Sequence, residues 1–180
     1  MHDPIDSTVT IRAATPADAT ALGRLATLLV RAHHDFDSRR FIPATRGTEH
    51  GYGSFLASEL EDRDVVILVA EREGVVVGYT YSAIEGHDWM SLRGPAGVLH
   101  DIVVDPGHRR HGVGRMLLQA TMDALEGKGA PRIVLSTAAR NEPAQRLFAR
   151  AGFRPTMIEM TRERGGELPE GDPSTRTLHT

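Results

Sequence analysis

The 180-residue chain contains no cysteine. That excludes disulfides, thiolate metal sites and a cysteine nucleophile, and it fits a reducing compartment. Aromatic residues make up only 5% of the chain, with a single tryptophan. No apolar run approaches the roughly 18 residues that a membrane span requires. The opening MHDPIDSTVTIR lacks the basic-then-apolar order of a secretory signal. A cytoplasmic protein with no membrane partner is expected. Positive charge is not in excess either: 21 Lys and Arg face 24 Asp and Glu, a formal net charge of −3. Nucleic-acid binders are usually basic, so no nucleic acid is expected as a partner. What is present, 40% apolar and 25% charged residues, suits one globular domain with its own core.

Hydrophobic periodicity divides the chain into ten elements. STVTIRAA, from Ser7 to Ala14, alternates as a strand. Thr15, Pro16 and Asp18 open a helix whose Leu22, Leu25, Ala26 and Leu29 share a face. A second helix is expected over roughly 49–62. DVVILVAEREGVVVGYTYSAIE reads as two strands joined at Glu73-Gly74. GHDWMSLRGPAG is a loop, and VLHDIVV is the next strand. A helix then runs to about Lys128, with an apolar stripe of Val113, Met116, Leu117, Ala120 and Ala124. RIVLSTA is a strand. Asn141 caps a helix that places Ala144, Leu147, Phe148 and Ala151 together, and FRPTMIEMTRE reads as a last strand. The order β-α-α-β-β-β-α-β-α-β gives one α/β domain over 1–164, with helices on both faces of a sheet. Residues 165–180 read as a polar tail.

Between VLHDIVV and the following helix stands DPGHRRHGVGRMLL. It is a local concentration of positive charge and glycine in an acidic chain. A Walker A loop needs G-x-x-x-x-G-K-[ST], but Val113 and Gly114 occupy the Lys and Ser/Thr positions. A dinucleotide fingerprint needs G-x-G-x-x-G, but Leu117 replaces the third glycine. R-x-x-G-x-G is met by Arg109, Gly112 and Gly114. It describes a helix start whose N–H groups lack intrahelical acceptors and sit at the positive end of the dipole. Glycine lets an anion approach the backbone, and a diphosphate suits such a place. The same six residues also describe an ordinary strand-to-helix turn with solvated arginines.

With its flanks, the chain resembles the GNAT superfamily of acyl-CoA-dependent N-acetyltransferases over roughly 8–162. LHDIVVDPGHRRHGVGRMLL carries the V-x-P-x-x-R-x-x-G-x-G run of that family, and NEPAQRLFARAGF resembles its asparagine-led helix ending in Gly-Phe. The resemblance implies a mixed, mostly antiparallel central sheet with helices on both faces, splayed between the fourth and fifth strands. It implies acetyl-CoA as co-substrate. The pyrophosphate would lie on the backbone of Arg110, His111, Gly112, Val113, Gly114 and Arg115, with Arg109 shaping the loop. Main-chain groups of Ile102, Val103 and Val104 would pair with pantetheine. The Ile102 N–H would polarise the thioester, and such oxyanion donors are worth about 10²–10³ in rate. Asn141 would bond pantetheine or simply cap its helix. The resemblance implies a small-molecule or peptide amine as acceptor, and a homodimer is frequent in such proteins.

Acylation of an amine also needs a base. In several members of that family an acidic residue or histidine lies nine before the signature arginine, where this chain has His100. Histidine is the side chain whose ordinary titration falls near neutrality. Asp101 is the second candidate. Strand alternation places His100 with Val98, Ile102 and Val104, and Asp101 opposite them with Leu99 and Val103. The family often carries a tyrosine acid in N-x-x-A-x-x-L-Y, but this chain reads Asn141, Ala144, Leu147, Phe148. Water, Tyr81 or Tyr52 would then protonate the thiolate, or it leaves unprotonated. The missing hydroxyl also opens an alternative, a weak or inactive acyl-CoA-binding sensor on the same fold. Asp35, Phe36 and Asp37 could receive a cationic amine, with Trp89 and Met90 walling the other side and Tyr81 and Glu85 nearby. Those residues equally suit solvated loops. Nine histidines form no metal-binding spacing, so no metal is expected.

Overall fold

In the computed structural model, which describes residues 9–165, a two-residue turn organises the first half of the sheet. Glu73 and Gly74 have φ of 52° and 76°, the left-handed pair that a tight hairpin needs. They join β2 (Val65–Arg72) to β3 (Val75–Glu85) in antiparallel register. β1 (Val9–Ala13) pairs antiparallel with β2, and β4 (Ala96–Val104) antiparallel with β3. β5 (Ile133–Leu135) lies parallel to β4. The spatial order is β1-β2-β3-β4-β5, a mixed and mostly antiparallel open sheet.

α1 (Ala19–Phe36) and α2 (Thr48–Glu59) cover one face. Leu22, Leu25, Ala26 and Leu56 pack there against Ile67, Val69, Tyr79 and Val103. The two helices meet through glycines. A Cβ on Gly23 would come within 2.1 Å of the Glu49 carbonyl oxygen, and one on Gly53 within 2.4 Å of that of Ala19. Only bare backbone permits that approach.

α3 (Val113–Gly127) and α4 (Glu142–Arg150) cover the other face. Val113 and Leu117 pack on Val9, Ala70 and Val77, while Leu118 and Phe148 enclose Leu99. The fully buried line of α3 is Val113, Leu117, Thr121 and Leu125, joined by Leu118. Met116, Ala120 and Ala124, expected on that stripe, are half-buried on its flank. Thr121 tolerates burial because its hydroxyl donates to the Leu117 carbonyl at 2.8 Å and meets the Thr80 hydroxyl at 2.7 Å.

One expectation at the ends changes. The described part of the first strand is Val9–Ala13; Ser7 and Thr8 lie outside the described residues, as do residues 166–180 of the expected tail. FRPTMIEMTRE is not a strand. Its alternation is real, but none of the described strands lies beside it. Residues 154–163 run exposed, and Glu159 pairs with Arg40 in the connection between α1 and α2. Among the described residues no helix is long and apolar enough to cross a membrane.

The entry to α1 is fixed by a buried charge. Asp18 is 7% exposed. It accepts from both Arg12 terminal nitrogens at 2.8 and 2.9 Å and from the Thr15 N–H at 2.8 Å. The hydrogen bonds from Arg12 lead in lowering its pKa from 3.8 to about 2. A carboxylate with a depressed folded pKa adds stability above its unfolded value and loses it as the pH falls. Asp18→Asn should therefore cost about 1–2 kcal/mol at pH 7, a figure reduced for the partly solvated Arg12. Urea titrations should show the wild-type and variant curves converging as the pH falls from 3.8 to about 2.

Candidate active site

β4 and β5 pair at Gly97–Ile133, Val98–Val134 and Leu99–Leu135 and then part. β4 continues to Val104. From His100 onward, none of the described strands lies on that edge. Ile102, Val103 and Val104 thus border a gap with main-chain donors and acceptors on an open edge. Buried or half-buried backbone groups need partners, so this edge can take an extended ligand.

The alternation expected along β4 breaks at His100. Tyr81 stands opposite Asp101, and Ser82 opposite Leu99, so two residues of β4 face one step of β3. Such a bulge inserts an extra residue and re-aims side chains. As a result Leu99 packs with Ile102 on the α3/α4 side. His100 and Asp101 both face the α1/α2 side. The His100 ring stacks on Tyr81, centroids 4.9 Å apart. The expected separation of His100 and Asp101 onto opposite faces is therefore wrong, because strict period-two alternation fails across a bulge.

His100 is oriented by a chain of polar contacts. Its Nε2 lies 2.9 Å from Glu85 Oε1, while Arg93 donates to Glu85 Oε2 at 2.6 Å. The Glu85 carboxylate, itself held by the Arg93 guanidinium, thus lies against the imidazole edge. Half-exposed His100 and Glu85 sit where solvent reaches them.

Asp101 is different. It is 7% exposed and accepts from Tyr79 at 2.8 Å and Tyr52 at 2.9 Å. Burial raises its pKa from the ordinary carboxylate range, opposed by those two hydrogen bonds. Burial, with Asp101 adding to it, pushes the phenol of Tyr52 above its ordinary value; burial and the bond to Glu59 do the same for Tyr81. Both hydroxyls considered as thiolate acids are therefore engaged and weakened as acids. Phe148 is a core residue, 5% exposed, beside Leu99 and Leu118.

The basic loop leads from β4 into α3. Asp105 accepts from the Gly107 N–H at 3.0 Å and from Arg24 of α1 at 2.7 Å. Arg24 also holds the Val76 carbonyl, so α1 braces the loop against the sheet. The loop glycines and arginines alone do not reveal that brace. Arg109 donates to the Val104 carbonyl at 3.0 Å, a loop-shaping contact. Arg110 and Gly112 have φ of 66° and 81°. None of the described residues accepts from the backbone N–H groups of Arg110, His111, Gly112, Val113, Gly114 or Arg115. A Cβ on Gly114 would make only ordinary contacts, 3.6 Å to Leu147 and 3.8 Å to Val104. Packing does not demand glycine there, and within a helix glycine is less favourable than alanine. Bare backbone, free N–H donors and a helix dipole fit a bound diphosphate.

Asn141 caps α4, its side chain accepting from the Ala144 N–H at 3.3 Å. Asp35 and Phe36 line a polar cavity of about 580 Å³ with His34, Asp37, Ser38, Arg39 and Arg140. Trp89 lines another, of about 210 Å³, with His87, Asp88, Leu92, Arg93 and Gly94, and Met90 is 95% exposed. The two loops expected to wall one acceptor pocket thus line separate cavities. Among the described residues no group of three or more His, Asp or Glu is placed to hold a metal ion.

The sequence matches the family model for the Acetyltransferase (GNAT) family over residues 28–153. It is 29% identical over 145 residues to the uncharacterized N-acetyltransferase YhfO of Bacillus subtilis, covering 79% of this chain and 88% of that protein. It is 32% identical over 106 residues to a mycothiol acetyltransferase of Acidothermus cellulolyticus, covering 54% of this chain. The chain spans about a third of that relative's length (32%). Among solved structures, the aminoglycoside N-acetyltransferase AAC(6')-Iy in complex with CoA superposes with a TM-score of 0.67 at 20% identity, covering 87% of this chain and 94% of the other. At that identity the likeness establishes the fold.

The Asp101 cluster makes a direct prediction. Asp101→Ala strands two buried hydroxyls and should cost about 2–4 kcal/mol, whereas Asp101→Asn keeps an acceptor and should cost less than about 1 kcal/mol. The sign of the pH effect opposes that of Asp18. An acid whose folded pKa is raised binds more protons when folded, so its contribution falls as the pH rises from 3.8 through the folded value. Asp101→Asn should lose that downward slope in urea titrations.

Proposed function

The chain belongs to the Acetyltransferase (GNAT) family, and from that premise we propose that it transfers an acetyl group from acetyl-CoA to an amine by direct attack. The observation that carries the proposal is the open edge of β4 running straight into the free N-terminus of α3. Ile102, Val103 and Val104 would pair with the pantetheine arm. The N–H groups from Arg110 to Arg115 would hold the pyrophosphate, and Arg110 and Arg115, which bond no described side chain, would add charge. Acetyl-CoA supplies the activated acyl group. No cysteine exists to carry an acyl intermediate, so the amine nitrogen forms its bond to the acetyl carbon as the carbon–sulfur bond breaks.

The His100 imidazole takes the proton from the attacking amine, directly or through one water, with Glu85 beside its Nε2 and Arg93 holding Glu85. The Ile102 N–H would steady the oxyanion. Asp101, buried and bonded to two tyrosines, acts as a positioning residue for the bulge rather than as the base. Phe148 offers no hydroxyl, so the thiolate takes its proton from solvent. The acceptor is read as a small-molecule amine, a reading supported by the mycothiol and aminoglycoside acetyltransferases among its relatives and fold neighbours. A second reading, an acyl-CoA sensor without catalysis, is favoured by Phe148 alone.

The test follows free thiol release from acetyl-CoA with a panel of small amines and peptide N-termini. Release with at least one amine is expected; tight acetyl-CoA binding with no release for any of them establishes the sensor instead. His100→Ala should lower kcat/KM by about 10²-fold and leave acetyl-CoA binding unchanged. An unchanged kcat/KM would remove His100 as the base. Gly112→Glu, which places an anion at the helix start, should weaken acetyl-CoA binding at least about tenfold by calorimetry. Equal affinity would refute the diphosphate site.

A further inference from the structure

α2 turns three side chains toward the strands that carry His100. Tyr52, Phe55 and Glu59 stand at i, i+3 and i+7 of that helix, so they share one face. Tyr52 donates to Asp101. The Phe55 ring meets the Tyr81 ring edge-to-face at 5.7 Å, and Glu59 accepts from the Tyr81 hydroxyl at 2.8 Å. Tyr81 in turn stacks on His100 at 4.9 Å. The imidazole thus ends a run of rings, and a carboxylate stands at the other end.

Folding does not account for Phe55. It is 44% exposed, and the core cluster that takes in Tyr52 and Tyr81 at its margin leaves it out. A single exposed apolar side chain needs no explanation. An exposed ring one helical turn before a carboxylate, and two ring contacts from His100, does. The charge around these rings is negative. Glu59, Glu85 and Asp101 come from α2, β3 and β4. Glu85 holds Arg93. Glu59 and Asp101 hold tyrosine hydroxyls instead, and neither forms an ion pair with a described residue. An aromatic face attracts a cation within about 6 Å of its centre, more strongly where the cation is partly desolvated. A neighbouring carboxylate adds to that attraction and turns away an acceptor that carries a negative group.

We propose, on the acetyl-transfer reading, that the acceptor is a diamine: its second ammonium lies between the Phe55 ring and the Glu59 carboxylate while its first nitrogen is acetylated at His100. The contacts from His100 to Tyr81 and from Tyr81 to Phe55 set the length of the molecule. A spacer of about four or five carbons, at roughly 1.5 Å a bond, spans them. The attacking nitrogen, neutral, bonds to the acetyl carbon and gives a proton to His100 as the carbon–sulfur bond breaks and the thiolate leaves. The second nitrogen keeps its proton and its charge, so the products are the monoacetyl diamine and CoA. That charge is held alike before and during transfer. Phe55 and Glu59 are therefore specificity residues that act on KM more than on kcat.

The full chain is assayed with acetyl-CoA and either 1,4-diaminobutane or n-butylamine. kcat/KM for the diamine should exceed that for the monoamine at least about tenfold, mostly through KM. Phe55→Leu keeps an apolar side chain without a π face, and Glu59→Gln keeps an acceptor for Tyr81 without the charge. Each should cut the ratio of the two kcat/KM values at least about fivefold. A loss of folded enzyme lowers both rates alike and leaves the ratio where it was. A wild-type ratio near one, or a ratio that either variant leaves unchanged, overturns the proposal. Calorimetry with no acyl donor present separates the cation site from the chemistry. The diamine should bind at least about tenfold more tightly than n-butylamine, and Phe55→Leu should abolish the difference. That preference with no thiol released for either amine would leave the cation site standing and remove acetyl transfer. Thiol release with equal affinity for the two amines would do the reverse.

Discussion

The pairing of β4 with β5 ends at Leu99, and the candidate site depends on that ending. Up to Leu99 the strand has neighbours on both edges; beyond it, the β3 edge alone is satisfied. An extended backbone covered by α3 on one face cannot leave donors and acceptors facing an empty gap without cost. The gap has the hydrogen-bonding groups to receive a ligand that is itself extended. Val104 then delivers the chain into the α3 N-terminus, where unpaired N–H groups lie in the same stretch as Arg110 and Arg115. Arg24, by holding Asp105 and Val76, keeps strand and helix start in register.

The bulge at His100 gives the other half of the arrangement. Without the extra residue, His100 and Asp101 would lie on opposite faces. With it, they share the α1/α2 side but differ in environment. Asp101 is buried between Tyr52 and Tyr79, and its carboxyl anchors α2 and β3 to the strand. His100 stays half-exposed, with its ring set by Tyr81 and Glu85. One residue holds the geometry and its neighbour stays open to solvent.

The glycine loop was legible in the sequence because its chemistry is local: a helix start, two glycines and nearby arginines define it without reference to the rest of the fold. The Glu73-Gly74 turn and the Asn141 cap were legible for the same reason. The bulge was not. No glycine or proline marks residue 100, and alternation alone predicts the wrong face. The Tyr52–Asp101–Tyr79 cluster was also hidden, since its members lie 49 and 22 positions from Asp101 and meet only by tertiary packing. The last strand was misread in a more informative way. Residues 156–163 have the pattern of a strand, but a strand needs a neighbour, and the described sheet offers none within the protomer.

The central claim is that an acyl donor lies along β4 and ends on α3. The most direct test is an amide nuclear-magnetic-resonance titration of the full chain with acetyl-CoA. The account predicts that the largest shifts fall on Ile102, Val103 and Val104 together with Arg110 to Arg115. Shifts concentrated around Asp35, Phe36 and Arg140, with β4 unmoved, would contradict it.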